Sequence, residues 1–327
     1  MLNYIKYFIF VATWMVLGLC ISKAQFTEPR REFRSEKAFS HAIFSQDGQH
    51  ILVLADTQVL VYHTRTGLLL RRIENGSKIN DLVVEPSKKN AVTVDERGDL
   101  SFWNIESGQK IKSWNNFNKP IRKLRFSADG QFVATFGAEP GVQIWGVGIG
   151  NIVFSLAKNE TVHAFDFHPN CQQIVAANAS NVITIWDLKT YQPQFILKGH
   201  RDSISSLWFS NDGNSLLSTS ADKTTRIWNV EKGETTKIYA NETKHTVAAF
   251  DATGQLVVVG EENGQAKVRD TKSGKLLYMF ESKEKITAIG FHPKEPLVFV
   301  CYKAPVARTW LLNEAAMILQ TVSKKLP

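Results

Sequence analysis

Apolar residues along this chain fall in short runs rather than in helical stripes. The clearest are SISSLWFS (203–210), NSLLSTS (214–220) and TTRIWNV (224–230), rich in β-branched and apolar residues and separated by turns carrying Asn, Asp and Gly. A fourth run follows a glycine, as in LLLRRI (68–73), QKIKSW (109–114) and KLLYMF (275–280). Runs of this length and composition predict strands. Apart from a candidate turn near 313–319, nothing has the length or 3.6-residue period of a substantial helix.

The runs repeat. A strand-ending apolar residue followed by a short polar turn occurs at Phe44, Val84, Phe126, Phe167, Phe209, Phe250 and Phe291, spaced 40, 42, 41, 42, 41 and 41 residues. A second mark follows at Tyr62, Trp103, Trp145, Trp186, Trp228, Arg269 and Trp310, spaced 41, 42, 41, 42, 41 and 41. Five residues beyond these stand Gly67, Gly108, Gly150, Gly233 and Gly274, while Tyr191 and Ala315 break that third rule. Four antiparallel strands in about forty residues are the unit of a propeller blade. The expected fold is therefore all-β: a seven-bladed β-propeller of four-stranded antiparallel blades, one domain over residues 25–327. A ring must join its ends or leave an open strand edge. REFRS (31–35) precedes the first unit as a fourth strand precedes each later one, so it is the preferred closing strand; AAMILQTV (315–322) competes for the same place.

The marks resemble those of the WD40-repeat family over residues 33–321. The fifth unit carries the fullest match: Gly199-His200, Ser218 and Ser220, Asp222, then Trp228-Asn229. The fourth ends in the literal Trp186-Asp187. The resemblance implies a hydrogen-bond chain through His200, Asp222, Trp228 and one of the two serines, tying the parts of a blade together. Elsewhere that chain is incomplete: the fourth unit has Ser180 in place of the Asp, and the sixth has Arg269 in place of the Trp. Most blades must then rely on apolar packing.

Residues 1–24 differ from the rest. Lys6 precedes an uncharged apolar run over 7–21, and Ser22-Lys23-Ala24 places small residues before a cut ahead of Gln25, the layout of a secretory signal peptide. As a helix the run spans roughly 22 Å, short of a hydrocarbon core of roughly 30 Å. The expectation is export to the periplasm or beyond; the alternative is a membrane anchor over 7–22, the only route by which a membrane becomes a partner. Three cysteines, Cys20, Cys171 and Cys301, have no CxxC spacing, and the last two fall in different blades, so both are expected unpaired. The formal net charge of +8 is spread thinly, without the run of five or six basic residues that nucleic-acid binding favours.

Catalytic signatures are missing: there is no HExxH, GxSxG or phosphate-loop glycine pattern. His168 and His292 precede proline in a turn, where a turn role suffices. Asp95, Glu96, Glu261 and Glu262 lie in turns between second and third strands, from which carboxylates can in principle converge on a metal at the ring axis; solvated turn acids are the simpler expectation. Sequons at Asn75, Asn159, Asn178 and Asn241 matter only in a eukaryotic secretory host. No cofactor and no metal are called for. The functional expectation is a non-enzymatic scaffold acting outside the cytoplasm. An unidentified protein partner binds loops on one propeller face that carry Lys78, Arg97, Arg201, Lys223, Tyr302 and Lys303, Arg and Tyr being strong interface types. The alternative is a propeller enzyme or small-ligand or metal-binding protein using the central channel.

Overall fold

Each period of the sequence folds into one antiparallel sheet in the computed structural model, which describes residues 25–26, 29–86, 89–115, 120–137, 139–240 and 243–312. The leader (1–24), the competing strand at 315–322, the turn near 313–319 and Asn241 lie outside the described residues. Seven sheets form a seven-bladed β-propeller, and each blade is a simple meander. Blade 5 shows the plan: Ile204–Phe209 innermost, then Ser215–Ser220, Thr224–Asn229 and the outer Glu234–Ala240. Among the described residues no helix is long and apolar enough to cross a membrane.

Burial explains why the runs look as they do. Second strands are covered on both faces by neighbouring blades, so His50–Ala55, Leu256–Glu261 and Leu297–Tyr302 are nearly continuous apolar runs. Fourth strands are half exposed and mixed, as in Leu69–Glu74. The core is not central. It is divided among the seams between blades. Leu52, Leu54 and Val61 of blade 1 pack on Ile79, Leu82 and Trp103 of blade 2. Tyr278 and Phe280 of blade 6 pack on Val298, Tyr302 and Trp310 of blade 7. At the fourth seam Ile183, Ile185 and Leu197 meet Leu207, Phe209 and Trp228. Tyr62, Trp103, Trp186, Trp228 and Trp310, which mark third-strand ends, are thus seam residues.

The ring closes through its N-terminal side. Arg31–Arg34 pairs antiparallel with Val306–Leu311, Arg31 opposite Thr309 and Arg34 opposite Val306. Blade 1 locks onto this strand: the Tyr62 hydroxyl donates to the Arg34 carbonyl at 2.6 Å, and the Tyr62 and Phe33 rings meet edge to face at 5.3 Å. Blade 6 departs from the four-stranded plan. Gln25–Phe26 adds to Leu276–Phe280 as a short parallel fifth strand, Gln25 opposite Tyr278. Cys171 and Cys301 are both free, as their separate blades require.

Candidate functional site

In a meander the connections from second to third strand and from fourth strand to the next blade's first all emerge at one end. That topology puts Lys78, Arg97, Arg201, Lys223 and Lys303 on a common face, and all five are exposed. Tyr302 is not among them. It ends the strand Leu297–Tyr302, is 0% exposed and packs in the seam between blades 6 and 7 under Arg308, whose guanidinium lies 5.7 Å from the ring centroid. The expectation that Tyr302 belongs to the binding face is corrected. Its run, LVFVCY, is a doubly covered second strand, and the exposed turn begins one residue later, at Lys303.

Blade 5 shows what holds this face. His200 lies between two partners, with Nδ1 2.8 Å from Asp222 Oδ2 and Nε2 2.7 Å from Ser218 Oγ. Trp228 donates its indole N–H to the same Ser218 oxygen at 2.8 Å. The arrangement is self-consistent when neutral His200 donates from Nδ1 and accepts the Ser218 hydroxyl at Nε2. Ser220 has a different role: it donates to the Asp202 carbonyl at 2.8 Å and accepts the Asp222 N–H at 3.0 Å. Asp222 also accepts the Arg201 N–H at 3.0 Å and the Thr224 hydroxyl at 2.6 Å. Burial pushes its carboxyl up, but the bonds from Thr224, the Arg201 N–H and His200 outweigh that and bring it down to about 2. Desolvation, opposed by Asp222, lowers His200, which therefore stays neutral. The turn bearing Arg201 and Lys223 is thus pinned to the blade interior by buried, satisfied polar groups.

Blade 2 pins its turn differently. Asp95, 2% exposed, accepts the Ser77 hydroxyl at 2.5 Å, the Asp99 N–H at 2.9 Å and the Arg97 guanidinium at 2.9 Å. Asp95 is therefore a turn clamp. Glu261 is held by Lys267 at 2.6 Å and Thr243 at 2.8 Å, and Glu262 by Lys285 at 2.7 Å. Asp95, Glu261 and Glu262 are engaged locally, and among the described residues no three His, Cys, Asp or Glu side chains gather as metal ligands. The four residues Gly98, Asn181, Lys223 and Gly264 occupy one equivalent turn position, each with its N–H bonded to the carbonyl three residues back and φ between 62° and 91°. Lys223 carries a long side chain in a conformation that favours Gly or Asn.

His168 and His292 act beyond their own turns. Each accepts a turn N–H at Nδ1, from Asn170 at 3.1 Å and from Glu295 at 2.8 Å. That leaves Nε2–H to donate to the next blade, to the Gly213 carbonyl at 3.1 Å and the Gly48 carbonyl at 2.9 Å.

The ring axis holds charges that motif reading passed over. Asp81 is fully buried on the first strand Ile79–Val84 of blade 2, and its carboxylate meets Lys123 Nζ at 3.1 Å and the Leu124 N–H at 3.0 Å. Burial raises Asp81, but Lys123, His41, Arg125 and that N–H lower it further. Arg125 lies 3.8 Å from Asp81 and 5.5 Å from the Trp208 ring centroid, and its buried Nε has no hydrogen-bond partner. Desolvation and the charges of Lys123 and Arg125, against Asp81, bring His41 down to about 3. Desolvation lifts Asp166 to about 6 despite Arg125 and the Phe209 N–H it accepts at 2.9 Å. A cleft of about 140 Å³ opens here, lined by His41, Lys123, Arg125, His163, Trp208 and Thr287 among others. The available signal was a charge inside a first-strand run, as in INDLVV, IRKLRF and VHAFDF.

Fold and polar chain define a repeat propeller. Comparison with known proteins agrees. The family described as "WD domain, G-beta repeat" matches residues 150–187 and 191–229, each match ending on the third-strand Trp-Asp or Trp-Asn pair of blades 4 and 5. Transducin beta-like protein 3 from Rattus norvegicus is 25% identical over 252 residues, 75% of this chain and 30% of the relative. The Mus musculus protein of that name is 24% identical over 317 residues, 94% and 38%. Periodic tryptophan protein 2 from Arabidopsis thaliana is 25% identical over 270 residues, 77% and 29%. The chain carries WD40 repeats over residues 150–187 and 191–229. It spans about a third of the length of these relatives.

Proposed function

We propose that this protein is a non-enzymatic scaffold that binds a protein partner through the face bearing Lys78, Arg97, Arg201, Lys223 and Lys303, and that it does so outside the cytoplasm. The observation that carries the reading is the pinned turn face. Exposed basic side chains project from connections that the Asp222–His200–Ser218–Trp228 chain and the Asp95 clamp hold rigid. Rigid presentation lowers the ordering cost of binding. The WD40 repeats of the chain, of a type that typically serves in interaction scaffolds, support the scaffold part of this reading. The face is mixed in charge, with Glu96, Asp202 and Glu262 exposed beside the basic residues, which fits a protein surface better than a nucleic-acid backbone.

The test is affinity purification from envelope and secreted fractions, with wild-type protein and an Arg97→Ala/Arg201→Ala/Lys303→Ala variant. Loss of the wild-type partners in the variant supports this face; their undiminished recovery removes it. Export rests on residues 1–24 and is tested by sequencing the mature N-terminus. A start at or near Gln25 supports cleavage, and a start at Met1 overturns cleavage in favour of an anchor over 7–22.

A second reading, small-ligand binding in the central channel, is favoured by the cleft beside Arg125 and its unpartnered Nε. Elemental analysis of the purified protein separates a metal-dependent version from a metal-free one.

A further inference from the structure

Two positions before the third-strand mark, three blades carry a cation: Arg226, Lys267 and Arg308. Two of these are neutralised within their own sheet. Lys267 Nζ lies 2.6 Å from Glu261, at the end of the second strand. Arg308 Nε donates at 2.7 Å to Glu32, its cross-strand partner on the closing strand. In blade 5 the same registers put Ser220 where Glu261 stands and Ile238 where Glu32 stands. Arg226 is left without either carboxylate, and its guanidinium forms no salt bridge and no hydrogen bond among the described residues.

Burial makes that vacancy costly. Arg226 is half-buried in the seam between blades 4 and 5, 5.8 Å from the Trp228 ring centroid and so close to the Gly199 backbone that a Cβ there would stand 2.5 Å from Nη1. Its Nε is buried with no partner. A donor stripped of water and left unbonded is destabilising until an acceptor reaches it. Arg125 also has a buried, unpartnered Nε, but Asp81 lies 3.8 Å from that guanidinium.

The surroundings carry a surplus of positive charge even with their acids counted. Lys198, next in the chain to Gly199, is exposed, as are Arg201 and Lys223 on the adjoining turns, and none of the three forms a salt bridge among the described residues. The neighbouring acids are Asp202 and Asp222. Asp202 is exposed and accepts the Ser203 N–H; Asp222 is engaged at both oxygens by His200, Thr224 and the Arg201 N–H. Four cations against two carboxylates leave two positive charges uncompensated.

We infer that the seam between blades 4 and 5 binds an acidic segment of the protein partner, one of whose carboxylates completes Arg226 as Glu32 completes Arg308. A guanidinium offers a carboxylate a fork of charge-assisted donors, and Lys198 and Arg201 extend the attraction to further acids. The inference rests on the turn-face reading above, since Arg201 and Lys223 border the site.

The test is calorimetric titration of the full chain with an acetylated and amidated tetraglutamate peptide at about 50 mM salt. Saturable binding with a Kd on the order of 100 μM is expected. Arg226→Gln should weaken it by at least about fivefold, and so should Ile238→Glu, which supplies the blade 7 carboxylate in cis. Ile238→Gln, its neutral control, and Lys232→Gln, at the opposite end of the blade, should each stay within about twofold of wild type. The inference is overturned if the peptide shows no saturable binding at about 1 mM, or if Arg226→Gln and Ile238→Glu bind it as their controls do. Displacement by about 10 mM inorganic phosphate, but not by chloride of equal ionic strength, also overturns it and makes the site a phosphate site. In the affinity purification above, partners kept by Arg226→Gln but lost from the Arg97→Ala/Arg201→Ala/Lys303→Ala variant overturn this site and leave the turn face standing. Partners kept by both remove the turn face itself.

Discussion

Trp228 donates its indole N–H to the Ser218 hydroxyl across one hairpin, at 2.8 Å, from ten positions along the chain. The same spacing joins Trp103 to Thr93 and Trp145 to Thr135, both at 2.9 Å. In blade 4 it leads from Trp186 to Ala176, and the buried Trp186 Nε1 has no partner. Ser218→Ala strips a partner from both Trp228 and His200 and should cost about 2 to 3 kcal/mol in urea unfolding. Ala176→Ser supplies the missing acceptor and should gain about 0.5 to 1 kcal/mol. Equal, small effects of the two changes would show that the indole bond carries no stability here.

The blade 7 to blade 1 seam depends on a glycine for two reasons at once. Gly48 sits at φ 76°, and a Cβ there would stand 2.2 Å from His292 Nε2. Gly48→Ala should therefore cost about 3 kcal/mol or more by thermal unfolding. His292→Ala removes the clash along with its own bond to the Gly48 carbonyl. The double variant should then be clearly less destabilised than the sum of the singles. Simple additivity would refute the steric account.

Lys223 occupies a turn position that blades 2 and 6 give to glycine. Lys223→Gly should raise stability by about 1 kcal/mol, and Lys223→Ala should not. A gain from Ala as large as that from Gly would point to charge rather than backbone conformation.

Asp222, His41 and Asp166 contribute opposing parts of the acid response. Asp222 falls to about 2 from 3.8, so the stability it adds is present above about pH 4 and is lost as pH falls towards 2. His41 falls to about 3 from 6.5; the unfolded chain binds more protons between those values, and stability again drops on acidification. Asp166 works the other way. It rises to about 6 from 3.8, so the folded protein binds more protons in that window and loses stability as pH climbs through it. Asp166→Asn keeps an acceptor for the Phe209 N–H and removes this penalty. Relative to wild type it should gain about 1 to 2 kcal/mol more at pH 7.5 than at pH 4. A pH-independent difference would remove Asp166 from the account.

Much of the architecture was legible because a propeller repeats locally. Apart from the strands that the N-terminal side lends to blades 6 and 7, each blade is built from contacts within about forty residues, so its marks recur at that period, and a doubly buried second strand announces itself as an unbroken apolar run. The polar chain of blade 5 was legible down to its residues, leaving only the choice between Ser218 and Ser220. The seams resisted. Tyr302 reads as a turn residue one position before Lys303, and only the neighbouring blade shows that its ring is enclosed. Asp81, Lys123 and Arg125 sit 42 or more residues apart in pairs across first strands, so no local pattern joins them.

The sequence by itself determined the number of blades and the strand order within each, because those follow from hairpin-scale spacing; the residues that tie blade 5 together came from the resemblance to WD40 repeats. The tertiary structure alone decided which strand closes the ring. It also joined His168 and His292 to neighbouring blades. These are relations between blades, and their energetics depend on surfaces that meet only when the ring is complete.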